Sequence, residues 1–199
     1  MFLTLILSSL LTFMELNCEN LFDTRHDSLK NDLEFLPDGS YKWMPYRYWA
    51  KLNHLGQEIV AQSNPIPDFV AMCEVENDSV MFDLTRRSLL RNAGYEYVMT
   101  SSPDERGIDV ALLYQPASFA LLHSHSIRIK PLPNTRPTRD ILYASGLVIT
   151  GDTLHIFVVH APSRRGVVKW LPVLIACMWQ TGWLLLWIPF MPNHGMQRL

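Results

Sequence analysis

The sequence predicts a mixed α/β fold in which sheets are covered by helices on their outer sides. Three observations carry that prediction. Two segments in the first half repeat apolar residues with the 3.6-residue period of a helix. Short apolar runs bounded by turn residues lie between them, as buried strands do. The second half is a succession of strand-like segments divided by Pro, Gly, Ser and Asp clusters, the pattern of an antiparallel meander.

The elements follow in order. Met1 to Phe13 is apolar, with the length of a signal-peptide core, and is too short to span a bilayer. It lacks a leading Lys or Arg and a small-residue cleavage site. It reads as an export-signal remnant or as a leading buried strand. The remnant would place the protein outside the cytoplasm; otherwise it is expected to be cytoplasmic. Phe13 to Asn20 reads as a strand, and Asp23 to Tyr46 as a turn-rich surface excursion. Tyr48 to Gln62 carries Trp49, Leu52, Leu55, Ile59 and Val60 at helical spacing and ends at Pro65 and Pro67. Asp68 to Cys73 is a buried strand. Ser79 to Asn92 is a second helix, capped by Asp78 or Ser79 and stopped by Gly94. Strands are then expected over Tyr95–Thr100, Ile108–Tyr114, Phe119–Ile129, Asp140–Thr150 and Thr153–His160.

Composition limits what the chain does. A formal net charge of -2 over 199 residues leaves no global pull on nucleic acid or anionic lipid, so polyanion binding needs a local patch. Three cysteines, Cys18, Cys73 and Cys177, form neither a disulfide framework nor a zinc knuckle. Cys18 and Cys73 read as buried small apolar residues on strands. The charge is unevenly placed: all 19 acidic residues precede Gly166, whereas Val167–Leu199 has none and holds four of the six tryptophans.

Four polar segments fall at strand ends, where a site is built. Glu15-Leu16-Asn17-Cys18-Glu19-Asn20 puts Asn17 and Glu19 on one face of a strand, because side chains alternate with period two. Cys73-Glu74-Val75-Glu76-Asn77-Asp78 sets Glu74 just past a buried strand, a position suited to holding a hard cation through oxygen. Arg106-Gly107-Ile108-Asp109 starts an apolar strand with a carboxylate that needs a partner, and Arg106 is one candidate. His160-Ala161-Pro162-Ser163-Arg164-Arg165 places a histidine at a strand end before two cations. Taken singly, each segment has a structural explanation as good as a chemical one.

In order and spacing, these segments together resemble the endonuclease/exonuclease/phosphatase family, over roughly Met14 to Arg165. The resemblance implies a four-layer α/β/β/α sandwich of two mostly antiparallel sheets, present here in part. It implies Mg²⁺, with Mn²⁺ or Ca²⁺ as substitutes, held by Glu74, Asn17 and Glu19. It implies a catalytic pair of Asp109 and His160, with Arg139 and Arg164 on the substrate phosphate. The implied activity is hydrolysis of a phosphate monoester or diester, in nucleic acid or a small molecule, with no protein partner called for. A carboxylate-held cation neutralises phosphate, a histidine moves a proton, and arginine clamps phosphate oxygens. The family's later motifs, a Gly-Asp-x-Asn and an Asp-His pair, do not occur in this sequence.

The tail explains that absence on one reading. Back-translation of Gly166–Leu174 from the third base of the Gly166 codon permits Gly-Gly-Glu-(Val/Met)-Ala-Ser-Arg-Pro, a continuation in the family's manner. The division expected is therefore a signal remnant over 1–13, the family domain over 14–166, and a frameshifted apolar tail over 167–199. The encoded product is then expected to be inactive. The competing reading is a membrane segment from Trp170 to Phe190, which makes the chain a membrane-anchored, non-catalytic binding module. Membrane contact by the tail is the less favoured of the two.

Overall fold

The computed structural model describes residues 11–131, 133, 136–160, 173–179 and 182–188, the last two stretches as backbone only. The expected signal remnant falls almost wholly outside the described residues, as does Arg164. Two sheets face each other. The first contains β1 (Phe13–Leu21), β2 (Phe69–Val75), β3 (Glu96–Met99) and β4 (Asp109–Tyr114), in the order β1-β2-β4-β3. The second runs in sequence through β5 (Phe119–Ile127), β6 (Ile141–Val148), β7 (Thr153–His160), β8 (Val173–Trp179) and β9 (Gly182–Ile188). Every pairing is antiparallel except β1 with β2. A parallel pair needs a long crossover, and α1 (Pro45–Ala61) lies in it.

Period-two alternation splits the first sheet between two cores. Val70 and Met72 of β2, with Ala111 and Leu113 of β4, pack outward against Tyr48, Leu52, Leu55 and Ile59 of α1. Phe69, Ala71 and Cys73, with Val110 and Leu112, face Leu142, Ala144, Leu154, Ile156 and Val158 of the second sheet. With both faces buried, β2 and β4 read as continuous apolar runs. The α1 stripe falls at helical spacing, and Pro45 sits in the first turn, where a missing N–H costs no bond. The predicted α/β sandwich of two mostly antiparallel sheets is therefore present.

The second expected helix is broken into three. α2 (Asp78–Phe82) starts at Asn77, whose side chain accepts the Val80 N–H at 3.0 Å, so Asn77 is the cap in place of Asp78 or Ser79. A wider π turn follows over Asp83–Arg87 and a 3-10 turn over Leu89–Asn92. Local hydroxyl bonding accompanies the break. Thr85 donates back to the Met81 carbonyl at 2.8 Å, and Ser88 donates to the Leu84 carbonyl at 2.5 Å while accepting the Leu90 N–H at 3.1 Å. Such bonds compete with the helical ladder. Gly94 ends the segment at φ +75°.

Within the expected tail, Val173–Trp179 and Gly182–Ile188 form strands. β8 pairs with β7 and β9 with β8, which extends the second sheet. Among the described residues no helix is long and apolar enough to cross a membrane.

Candidate functional site

The site gathers at the end of the sheets where β1 and β2 lose regular pairing. Asn17 pairs with Cys73 and Leu21 with Val75, so three residues of β1 stand opposite Glu74 alone. The extra length is absorbed by left-handed backbone at Glu19 (φ 50°) and Asn20 (φ 61°), and Glu74 itself is at φ 60°. None of the three is glycine. Left-handed backbone at such residues costs on the order of 1–3 kcal/mol each and persists where surrounding structure enforces it, often at functional sites. Asn17 Oδ1 accepts the Glu19 N–H at 2.9 Å, and Glu74 Oε2 accepts the Asn20 N–H at 2.9 Å. The Asn17–Glu19 alternation expected from sequence therefore stops at Asn17. Glu19 is exposed, while Asn17 is half-buried.

Across the gap stand two residues of the second sheet. His160 ends β7 and is buried, with Nε2 3.7 Å from Glu74 Oε1. Arg139 precedes β6 and is only 7% exposed. Its guanidinium donates to Asp104 Oδ2 at 3.3 Å and lies 3.1 Å from His160 Nδ1. Burial, then the Arg139 and Arg106 cations, push the imidazole down to about 4. His160 is thus neutral near pH 7, and a ring nitrogen is free to accept the Arg139 N–H. Asp104 balances the buried guanidinium, as a charge at that depth requires. The Nε of Arg139 and the hydroxyl of Thr138 are buried with no hydrogen-bond partner. Both residues line a cavity of about 500 Å³ whose wall also includes Arg106, Lys130 and Arg136.

Asp109 is placed differently from expectation. Its carboxylate accepts the Thr100 hydroxyl at 2.6 Å and the Ser102 N–H at 3.0 Å. The hydrogen bonds of Asp109 go to this link between β4 and the Ser101–Asp104 loop and not to His160, which faces Arg139 and Glu74. Arg106, offered as the other partner for Asp109, lies 3.7 Å from Asp104 instead. The structure therefore joins Glu74, His160 and Arg139, sets Asn17 beside the Glu74 bulge, and turns Asp109 aside. Asp104 escaped sequence reading because it lies in a cluster of turn residues, where carboxylates are common. Its signal was the buried Arg139, which needed an anion.

Among the described residues no three His, Cys, Asp or Glu side chains converge as a metal cage. Mg²⁺ does not need one, since it binds through one or two carboxylates and keeps several waters. The Glu74 carboxylate and the second lone pair of the Asn17 amide oxygen are hard oxygen donors of that kind.

A model described as the Endonuclease/Exonuclease/phosphatase family matches residues 12–171. Among curated proteins, none matches the sequence. Three solved structures share the fold at TM-score 0.50. D. rerio TDP2 in complex with single strand DNA product is 18% identical, with 78% of this chain and 48% of that one covered. The human Nocturnin catalytic domain with bound sulfate anion is 20% identical, over 78% and 51%. A family protein from Bacteroides thetaiotaomicron is 15% identical, over 76% and 52%. The chain spans about half the length of these structures.

Proposed function

The chain belongs to the endonuclease/exonuclease/phosphatase family, and from that premise we propose that its site is built for divalent-metal-dependent hydrolysis of a phosphate ester. The observation that carries the reading is the meeting of Glu74 from the first sheet with His160 and Arg139 from the second. A carboxylate on one side and a buried guanidinium on the other leave a gap between opposite charges, the polarity a metal-bound phosphate would complete. The sulfate of the Nocturnin domain and the DNA product of TDP2 are oxyanions of the same chemistry.

Glu74 and Asn17 would hold Mg²⁺ or Mn²⁺, with Glu19 at the exposed rim. The bound ion would neutralise phosphate charge and stabilise the leaving oxygen. Arg139, fixed by Asp104, donates N–H groups toward a phosphate oxygen. His160, neutral at working pH, is able to take or relay a proton and keeps the guanidinium aimed. Asp109 acts at one remove, by holding the Ser101–Asp104 loop from which Asp104 reaches Arg139. Arg106, Lys130 and Arg136 supply cations to the adjoining cavity.

We further propose that the 199-residue chain binds metal but has little turnover, because the late family motifs are not in its sequence. Calorimetric titration with Mn²⁺ tests the first part. Saturable binding is expected, weakened at least tenfold in Glu74→Gln, and a folded protein that takes up no Mn²⁺ would end the metal reading. Assay of a chromogenic phosphodiester tests the second part. Mg²⁺-dependent turnover abolished by Glu74→Ala would overturn it.

A further inference from the structure

Lys51 is a cation that no part of the proposed chemistry uses, and its place in the fold is specific. It lies on α1 three residues after Tyr48 and four before Leu55, at the edge of the buried stripe. From there its ammonium reaches the β1 bulge. Nζ donates to the Glu19 carbonyl at 2.7 Å and to the Asn20 carbonyl at 3.3 Å. These are the two consecutive left-handed residues of β1. The bulge has pulled them out of register with β2; the Asn20 carbonyl still accepts the Phe22 N–H at 3.1 Å, and the Lys51 ammonium adds a second donor there and bonds the Glu19 carbonyl. An ammonium carries three donors and no acceptor, which suits two converging carbonyls. The Lys51 ammonium also lies 5.4 Å from the centre of the Trp43 ring, and the Trp43 indole N–H donates to the Phe22 carbonyl at 2.8 Å. Helix, tryptophan and the residues that follow the bulge are thus tied together.

The same bulge holds the carboxylate. The Asn20 N–H donates to Glu74 Oε2 at 2.9 Å, so the peptide group that follows Glu19 orients Glu74. A path of three contacts runs from Lys51 through the Glu19–Asn20 backbone to Glu74. We propose that Lys51 is a positioning residue that braces the left-handed β1 bulge and thereby sets the Glu74 carboxylate for a divalent cation. The metal half of this statement rests on the function proposed above; the brace does not.

The experiment compares Lys51→Met, which keeps an unbranched apolar stem against Trp43, with wild type and with Leu52→Ala, a core substitution on the same helix. Two readouts are taken on the full chain. Hydrogen–deuterium exchange over residues 17–22 in metal-free buffer is expected to quicken at least tenfold in Lys51→Met beyond any general change. Mn²⁺ affinity is expected to fall at least tenfold in Lys51→Met and less than threefold in folded Leu52→Ala. Lys51→Arg, which retains a charged donor, is expected to restore most of both. Unchanged exchange over 17–22 overturns the brace whether or not metal binds. Loosened exchange with unchanged Mn²⁺ affinity overturns the link to Glu74. Absence of Mn²⁺ binding in wild type removes the metal reading, and the exchange result still decides the brace. If Lys51→Met does not fold, Lys51→Gln, with an uncharged donor on a shorter stem, carries the same comparison with the same expected direction.

Discussion

Glu76 lies two residues beyond Glu74, is 8% exposed, and accepts the Asp23 N–H at 2.7 Å. Burial outweighs that bond and, with Asp23, Asp32 and Asp27 nearby, pushes its carboxyl up to about 8. His160 is displaced the other way, down to about 4, by burial and by Arg139. The two act oppositely on stability. Between pH 4.5 and about 8 the folded chain holds the Glu76 proton more tightly than the unfolded chain, so that contribution is full below 4.5 and is lost as pH rises through 8. For His160 the unfolded chain takes the proton first, so its contribution is full above 6.5 and is lost as pH falls through about 4. From 4.5 to 6.5 the two slopes oppose one another. From 6.5 to 8 Glu76 acts without that opposition, at up to roughly 1.4 kcal/mol per pH unit. Thermal unfolding followed by circular dichroism in chelator is therefore expected to show a midpoint that declines from pH 6.5 to 8. Glu76→Gln should flatten the decline, and an unchanged slope in that variant would show that another group governs it.

At the scale of elements, β6 packs closely against β5 at Gly146. A Cβ added at Gly146 would meet the Ala120 carbonyl oxygen at 2.5 Å and the Phe119 ring at 2.6 Å. Neither neighbour yields readily, since one is backbone and Phe119 is 1% exposed in the core between the sheets. Gly146→Ala is expected to destabilise by about 1–3 kcal/mol, as overpacking does, read as a lower urea midpoint. A midpoint equal to wild type would mean the β5–β6 contact relaxes freely. Gly146 drew no notice in the sequence, because one glycine in an apolar run does not reveal which ring lies over it. The strands themselves were legible, since β2 and β4 are buried runs bounded by turn residues, β7 alternates with period two, and α1 shows its stripe. The second helix was not, because Thr85 and Ser88 spend their hydroxyls on local carbonyls, an outcome that periodicity does not register. At the site, Glu74, His160 and Arg139 could be named from strand ends. The bonding of Asp109 to Thr100 and Ser102 could not, because it depends on how the loop after β3 folds back over β4. Lys51 was hidden for a similar reason: on a helix flank it looks like solvated charge, and its role depends on a bulge two elements away.

For the whole molecule, the question is whether one site made by two sheets is enough for turnover. Packing of Phe69 and Tyr114 against Phe119 joins the sheets and brings Glu74 to within 3.7 Å of His160. Metal and phosphate contacts are therefore expected in the chain as it stands. Activation of water is a separate requirement. The family resemblance assigns it to a Gly-Asp-x-Asn motif and a late Asp-His pair. The chain has a single Gly-Asp, Gly151-Asp152, followed by Thr153 and Leu154. That pair precedes β7, whereas His160 ends it, and a strand of Thr153–His160 spans roughly 26 Å at 3.3 Å per residue. Asp152, bonded to Thr150 at the far turn, is thus unable to stand in for the missing carboxylate. A well-placed proton-transfer group contributes about 10²–10⁴-fold to rate. The purified 199-residue chain is accordingly expected to bind Mn²⁺ yet hydrolyse bis-p-nitrophenyl phosphate no faster than its Glu74→Ala variant, over a range of Mg²⁺. Hydrolysis that rises with Mg²⁺ and vanishes in Glu74→Ala would show that His160 and Arg139 suffice, and that the late motifs are dispensable in this member of the family.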